Sequence, residues 1–385
     1  KPVFAHNVDV TAESIPPETP ITNPLTPAFV AYSFNHDVIY CVTFSTCIEN
    51  YFSIFVLLIP SKDTKHMRNY FLFFFLLLFF NSCQKDAKNN IDTSIIEVDF
   101  MMYRFEQDFY ENKGDNLEVL KENFPLLFPK NTPDSVWIAK IQDKDEQELY
   151  KETQKLYSSF SDIETELTSL FKHITYYNPT FNTPDIITVL SNIDYEYRVV
   201  YTDLLALISL DVYLGEDHPY YNDYPSYIKQ NNIRERIVVD VANNIIESKL
   251  KPFNNRSFLA KMIYEGKKLY LLDLYLPSKP DEIKIGYSKE KFNWALANEE
   301  QVWKYFIENN LLYSTDTKLN KRFLEEAPFS KFYISEDRMS PGRIGQRIGW
   351  QIVRSFMDNN DVSLQDLLSL DEDEVFKNSK YKPRK

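Results

Sequence analysis

Ile186–Leu214, IITVLSNIDYEYRVVYTDLLALISLDVYL, is where the texture of this chain changes. Three runs within it, Ile186–Ser191, Tyr197–Tyr201 and Leu204–Leu214, are rich in Val, Ile, Leu and Tyr and are parted by polar or acidic breaks. They predict the short strands of a small β-meander. Upstream, from Ile95 to about Asn178, the period is helical. Phe100, Tyr103, Phe105, Phe109 and Tyr110 recur at helical spacings, Leu117, Leu120 and Phe124 continue the stripe, and Asp143–Phe171 reads as one long amphipathic helix. The core side of that helix is Leu149, Leu156, Phe160, Ile163, Leu167 and Leu170. Downstream, after a loop carrying Asp217, His218, Pro219, Tyr220 and Tyr221, helical texture returns at Ile233–Leu250, Phe258–Leu276, Phe292–Leu312 and Arg343–Asp358. Helices, a small sheet and more helices predict a predominantly helical α+β domain over residues 95–385, with 95–178 all helical.

Further towards the start lies Met67–Cys83, MRNYFLFFFLLLFFNSC. Arg68 supplies a positive flank, Phe71–Phe80 an unbroken apolar run, and Asn81, Ser82 and Cys83 a small-residue exit, the layout of a secretory signal. The run is too short to span a bilayer, which takes about 20 residues. A buried core element is the rival reading, but a wholly apolar run between an arginine and a polar stretch fits the signal better. Ending on cysteine, it looks like a bacterial lipoprotein signal, in which the Cys83 thiol takes the lipid. Residues 84–94 then form a polar tether. Residues 1–66, which begin with Lys1 and carry Pro16, Pro17, Pro20, Pro24 and Pro27, read as a mistranslated or disordered leader upstream of the true start.

The formal net charge is −13, and residues 1–83 hold only four Lys or Arg against six Asp or Glu. The acidic excess therefore belongs to residues 84–385, which argues against a nucleic-acid partner. The three cysteines, Cys41, Cys47 and Cys83, all lie before residue 84, so no disulfide framework or cysteine metal site can form in the domain.

Five stretches carry a family resemblance: MIYEGKKLYLLDLYLP (Met262–Pro277), NEEQVWKYF (Asn298–Phe306), APFSKFY (Ala327–Tyr333), SPGRIGQRIGWQIVRSFM (Ser340–Met357) and SKYKPR near the end. With them the chain resembles the gliding-motility lipoproteins called GldB, from Met67 onward. The resemblance implies a lipid-anchored component of the gliding machinery in the cell envelope, its domain outside the cytoplasm. The implied partners are the membrane, reached through the anchor, and other gliding-motility or secretion-apparatus proteins.

The family in turn looks like a distant relative of gluzincin-type zinc proteases. That resemblance implies a zincin-like domain over 179–385, with Glu265 of Glu265-Gly266 at the place of the third zinc ligand. Such chemistry also needs two histidines one helical turn apart with a glutamate between them. The preceding helix, RERIVVDVANNIIESKL, has no histidine, and residues 84–385 contain only His173 and His218. The expectation is therefore a degenerate protease scaffold that binds and does not turn over substrate, with no catalytic residue, metal or cofactor. Tyr264, Glu265 and Tyr270 are placed at a vestigial cleft. An envelope metal-dependent hydrolase using Glu265 stays open as the alternative.

Several other features have plain readings. Asp240, Asn243, Asn244 and Glu247 read as a solvated or capping side of their helix. Gly342, Gly345 and Gly349 lack a P-loop ending and read as a face that lets a neighbouring backbone approach. Arg343 and Arg347 read as salt-bridge partners, and Trp294, Trp303 and Trp350 as core. The test of the chain's organisation is Cys83→Ala, which should abolish lipid labelling and move the protein from the membrane to the soluble fraction. A variant still lipidated and membrane-bound would overturn the signal reading.

Overall fold

The computed structural model describes residues 28–34, 37–43, 55–57 and 91–385, apart from 113 and 253–254. The stretch expected to be a signal, Met67–Cys83, with Cys83 as the expected lipid acceptor, lies outside the described residues. By its contacts the chain divides into two compact units, Lys1–Asp86 and Ala87–Lys385. In the first, strands β1 (Ala28–Phe34), β2 (Asp37–Thr43) and β3 (Phe55–Leu57) pair antiparallel in that order.

The second unit opens with strand β4 (Met102–Tyr103). Helices α1 (Phe105–Glu111), α2 (Leu117–Asn123), α3 (Asp134–Gln142), α4 (Lys144–Tyr157) and α5 (Ser161–Tyr177) follow. Strands β5 (Asp185–Val189), β6 (Val199–Tyr201) and β7 (Leu205–Ser209) come next. The remainder is helical: α6 (Ser226–Lys229), α7 (Ile237–Lys249), α8 (Phe258–Tyr275), α9 (Asp281–Ile285), α10 (Lys289–Ala297), α11 (Glu299–Glu308), α12 (Lys318–Phe323), α13 (Ile344–Asn359), α14 (Leu364–Ser369) and α15 (Glu372–Ser379). The domain is a predominantly helical α+β fold, as its texture predicts.

The sheet is not a meander. Its order is β4-β5-β7-β6, with β4, β5 and β7 parallel and only β6 antiparallel to β7. The reason lies in what covers it. Ile186, Ala206 and Ile208 face the main core, whereas Ile187, Val189 and Leu207 pack into a second cluster with Phe109, Tyr110, Leu120 and Tyr150. Strands covered on both faces carry continuous apolar runs, and IITV and LALIS are such runs. Their burial says little about strand order. The loop after β5 is held by the fully buried Asp211, whose carboxylate accepts the backbone N–H groups of Ser191 (3.0 Å) and Ile193 (2.6 Å). Asn192 and Ile193 are left-handed there, at φ 60° and 57°. Those conformations are unfavourable for a β-branched side chain, so the carboxylate must offset their cost.

Two long helices of the sequence reading are each broken in two. Asp143–Phe171 is interrupted between Tyr157 and Ser161, giving α4 and α5. The break shifts the buried face: Leu156 is 55% exposed, and Tyr150, Thr153 and Tyr157 point inward with Leu149. Asp143 caps α4 by accepting the N–H groups of Asp145 and Glu146, which is why the helix starts there. Phe292–Leu312 breaks at Asn298 into α10 and α11. Tyr103 stands in β4 and not on a helix, because the parallel pairing of Met102 and Tyr103 with Ile186 and Ile187 overrides local periodicity.

Helices α8 and α13 cross at their glycines. A Cβ on Gly349 would stand 1.7 Å from the Met262 carbonyl oxygen, and one on Gly266 would stand 2.3 Å from the Gly349 carbonyl carbon. Real Cβ atoms do not approach so closely, so only glycine permits this crossing. Gly345 adds a third close approach, to the Phe323 carbonyl and the Leu324 side chain. The Gly349→Ala variant should lose about 3 kcal/mol or more of unfolding free energy in urea titration, since neither backbone can yield. A loss under about 1 kcal/mol would show that the helices can separate at little cost.

Candidate functional site

Residues 264–270 lie in the middle of α8. The Glu265 carboxylate accepts a hydrogen bond from Lys268 Nζ at 3.1 Å, one turn along, and the same ammonium stands 3.7 Å from Glu247 of α7. Lys268 also lies over the Tyr264 ring, 5.1 Å from its centroid. Burial pushes the Glu265 carboxyl above the ordinary range, with Lys268 opposing the rise. For Lys268 burial works against the charge, but Glu265 and Glu247 raise its pKa. Tyr264, Glu265, Lys268 and Glu247 thus form one partly exposed cluster between α7 and α8.

Tyr270 is not part of it. It is buried, its phenol is pushed up to about 12 by burial and then by Asp273, and Tyr177 and Asp358 are among the groups around it. A cavity of about 360 Å³ lies at the far end of α8, lined by Glu166, Ser169, Glu235, Leu276, Ile283 and the Pro277–Pro280 loop. None of Tyr264, Glu265 or Tyr270 lines it.

Gly266, the second half of the Glu265-Gly266 motif, is taken up by the crossing with α13. His218 meets the Tyr220 ring edge-on, with ring centroids 4.7 Å apart, and its Nε2 is 3.9 Å from Glu152. His173 Nδ1 is 2.7 Å from the Ser169 carbonyl oxygen. Among the described residues, no three His, Cys, Asp or Glu side chains gather in a way that could hold a metal ion.

The structure corrects one reading of α7. Asp240 is neither solvated nor a cap: it is buried, ion-paired with Arg236 of the preceding turn, and accepts the Tyr213 hydroxyl at 2.9 Å. Arg236 in turn donates to the Ile283 carbonyl at 2.5 Å. Burying a charge is costly unless it is paired and hydrogen-bonded, and here both conditions hold for the carboxylate.

A larger charged cluster, which sequence reasoning missed, lies where α8, α9 and α13 meet. Asp273 accepts from Lys284 Nζ (3.0 Å), Arg354 Nε (2.7 Å), Arg354 Nη2 (2.7 Å) and the Trp350 indole (2.8 Å). Arg354 also forks onto Asp281 at 2.6 and 2.8 Å and stacks on Trp350, its Cζ 3.8 Å from the ring centroid. Burial disfavours the guanidinium's charge, but Asp281 and Asp273 hold its pKa above the ordinary value. This bidentate geometry suits arginine and not lysine. Asp273 and Arg354 are 81 residues apart, and no sequence spacing couples them.

The stretches that carry the family resemblance are assembled by these contacts. Gly342 lies so close to Ala327 that a Cβ would be 2.2 Å from its carbonyl oxygen, and Ser330 Oγ donates to the Pro341 carbonyl at 2.7 Å. The buried Arg347 pairs with Glu299 at 3.3 Å, and Arg343 donates to the Ile285 carbonyl at 2.8 Å, so both arginines serve structural contacts. Glu299 also accepts the Tyr381 hydroxyl (2.9 Å) and the Arg384 backbone N–H (3.2 Å). Trp350 is fully buried, and Trp294 and Trp303 pack against the core.

These shared contacts define a self-contained, mostly helical unit over Ala87–Lys385. The model of a family described as gliding motility protein GldB matches residues 86–383, and the chain belongs to that family of gliding-motility lipoproteins. No curated protein and no solved structure matches it. Nothing from solved structures therefore supports the zinc-protease scaffold that Glu265-Gly266 suggests. Among the described residues, no helix is long and apolar enough to cross a membrane.

The raised pKa of Glu265 has a definite sign for stability. The folded state holds the proton more tightly than the unfolded state, so ionising Glu265 opposes folding once pH exceeds the unfolded value of about 4.3. Relative to the parent, Glu265→Gln should gain unfolding free energy as pH rises from 4 to 7. Urea titrations across that range that show the opposite trend would mean the Lys268 pair outweighs desolvation.

Proposed function

We propose that this protein acts in the gliding machinery as a lipid-anchored, non-catalytic binding component of the cell envelope. Family membership supports the machinery and the lipoprotein character. The single observation that supports binding over turnover is the state of Glu265. Its carboxylate faces an ammonium at 3.1 Å, while the adjoining glycine is used to pack α13. A general base or metal ligand needs a carboxylate open to a substrate or an ion, and this one is already engaged. The partly exposed Tyr264, Lys268 and Glu247 around it offer an aromatic ring and charges of both signs, suited to gripping a polar partner segment. On this reading the partners are other gliding or secretion-apparatus proteins, and Cys83 carries the anchor.

The test combines metal analysis with complementation. Purified residues 87–385, a compact unit with its own core, should contain no stoichiometric zinc. In a gliding strain deprived of the protein, Glu265→Gln should restore movement as the parent does. Stoichiometric zinc that disappears in Glu265→Ala, together with loss of gliding in Glu265→Gln, would overturn the binding reading in favour of a metal-dependent hydrolase.

A further inference from the structure

We infer that Lys377–Lys385 is a cationic strip that docks the domain on an anionic phospholipid surface. The chain is acidic overall, at −13, yet this stretch carries Lys377, Lys380, Lys382, Arg384 and Lys385, with no Asp or Glu after Glu374. All five side chains are exposed, and among the described residues none of them makes an ion pair.

The strip is built into the domain. The Tyr381 hydroxyl and the Arg384 backbone N–H both donate to Glu299, the Tyr381 ring meets Trp303 edge-on at 5.3 Å, and the Tyr381 N–H donates to Ser379 Oγ. Burial consequently alternates: Tyr381 and Pro383 turn inward, while Lys380, Lys382 and Arg384 turn outward. Lys382 and Arg384, on either side of the inward-turned Pro383, thus share the outward side, and Lys380 is exposed next to them in the chain.

The chemistry of the strip favours a lipid surface over an acidic peptide. Strand addition needs a regular backbone edge with donors, and this edge is interrupted by Pro383, which has no N–H, and by the left-handed Lys380 at φ 54°. What remains is a set of mostly lysine point charges, which suits diffuse attraction to phosphate headgroups. At about 0.1 M salt the Debye length is about 10 Å, so exposed acidic groups farther than that from the strip are largely screened.

The inference does not depend on Cys83, so its failure would leave the anchored reading standing. The experiment uses unlipidated residues 87–385 and vesicle sedimentation at about 0.1 M salt. Vesicles rich in phosphatidylglycerol should retain the domain at least 10-fold better than phosphatidylcholine vesicles. The variant K380N/K382S/R384S/K385S should lose that preference, while K130S/K144S/K151S, which removes exposed lysines elsewhere, should keep it. The contacts of Glu299 use the Tyr381 hydroxyl and a backbone N–H, so the strip variant should keep its urea midpoint, which verifies folding. Equal loss in both variants, no loss in the strip variant, or retention by immobilised poly-L-glutamate with no preference among vesicles would each overturn the proposal.

Discussion

The backbone-to-backbone approach of α8 and α13 is the constraint on which the rest of the domain depends. With no side chain between Gly266 and Gly349, the two longest helices of the second half come within a distance that even one methyl group would forbid. Close approach puts opposing side chains on either side of the crossing into fixed register. The Met262 and Ile263 backbone lies at the crossing against Gly349, and the Trp350 indole donates to Asp273 between the same two helices. Apolar helix faces alone would tolerate sliding, whereas a glycine crossing has essentially one arrangement.

Around that crossing the domain buries charge in an ordered way. Asp273 with Arg354 and Lys284, Asp240 with Arg236, Lys267 with Glu372, and Glu299 with Arg347 are all pairs whose partners come from different elements or turns. Buried pairs contribute little net stability against a hydrophobic replacement, but removing one member leaves an unpaired charge that costs about 3–5 kcal/mol. Their effect is to penalise wrong packings. Five of these partners, Lys267, Asp273, Glu299, Arg347 and Arg354, lie in the stretches that carry the family resemblance. Glu265 belongs to the same economy: an apparent catalytic motif is divided into an ion-paired carboxylate and a packing glycine.

Much of this was legible in the linear pattern. The α7, α8 and α13 helices stand within a few residues of their apolar periodicity, and the glycine face of Gly345 and Gly349 was readable as a close-approach surface. The Glu265 and Lys268 pair is also a sequence-visible spacing of three. The strand order was not legible, because β5 and β7 are covered on both faces and carry no alternation to reveal their neighbours. The breaks at Ser158–Phe160 and Asn298 were equally hidden. Neither contains a proline, and the apolar residues on each side continue a plausible helical phase.

Sequence by itself determined the class of this protein: an acidic, mostly helical α+β domain whose motifs place it among gliding-motility lipoproteins, with no histidine pair for a zinc site. Those properties rest on composition, local periodicity and residue identity, which survive any folding. Only the tertiary structure decided that Gly266 serves α13, that Asp240 is buried, that Tyr270 is remote from the Glu265 cluster, and that Asp273 and Arg354 meet. Each of these depends on contacts between residues far apart in the chain, and such contacts arise from three-dimensional packing that no local spacing encodes.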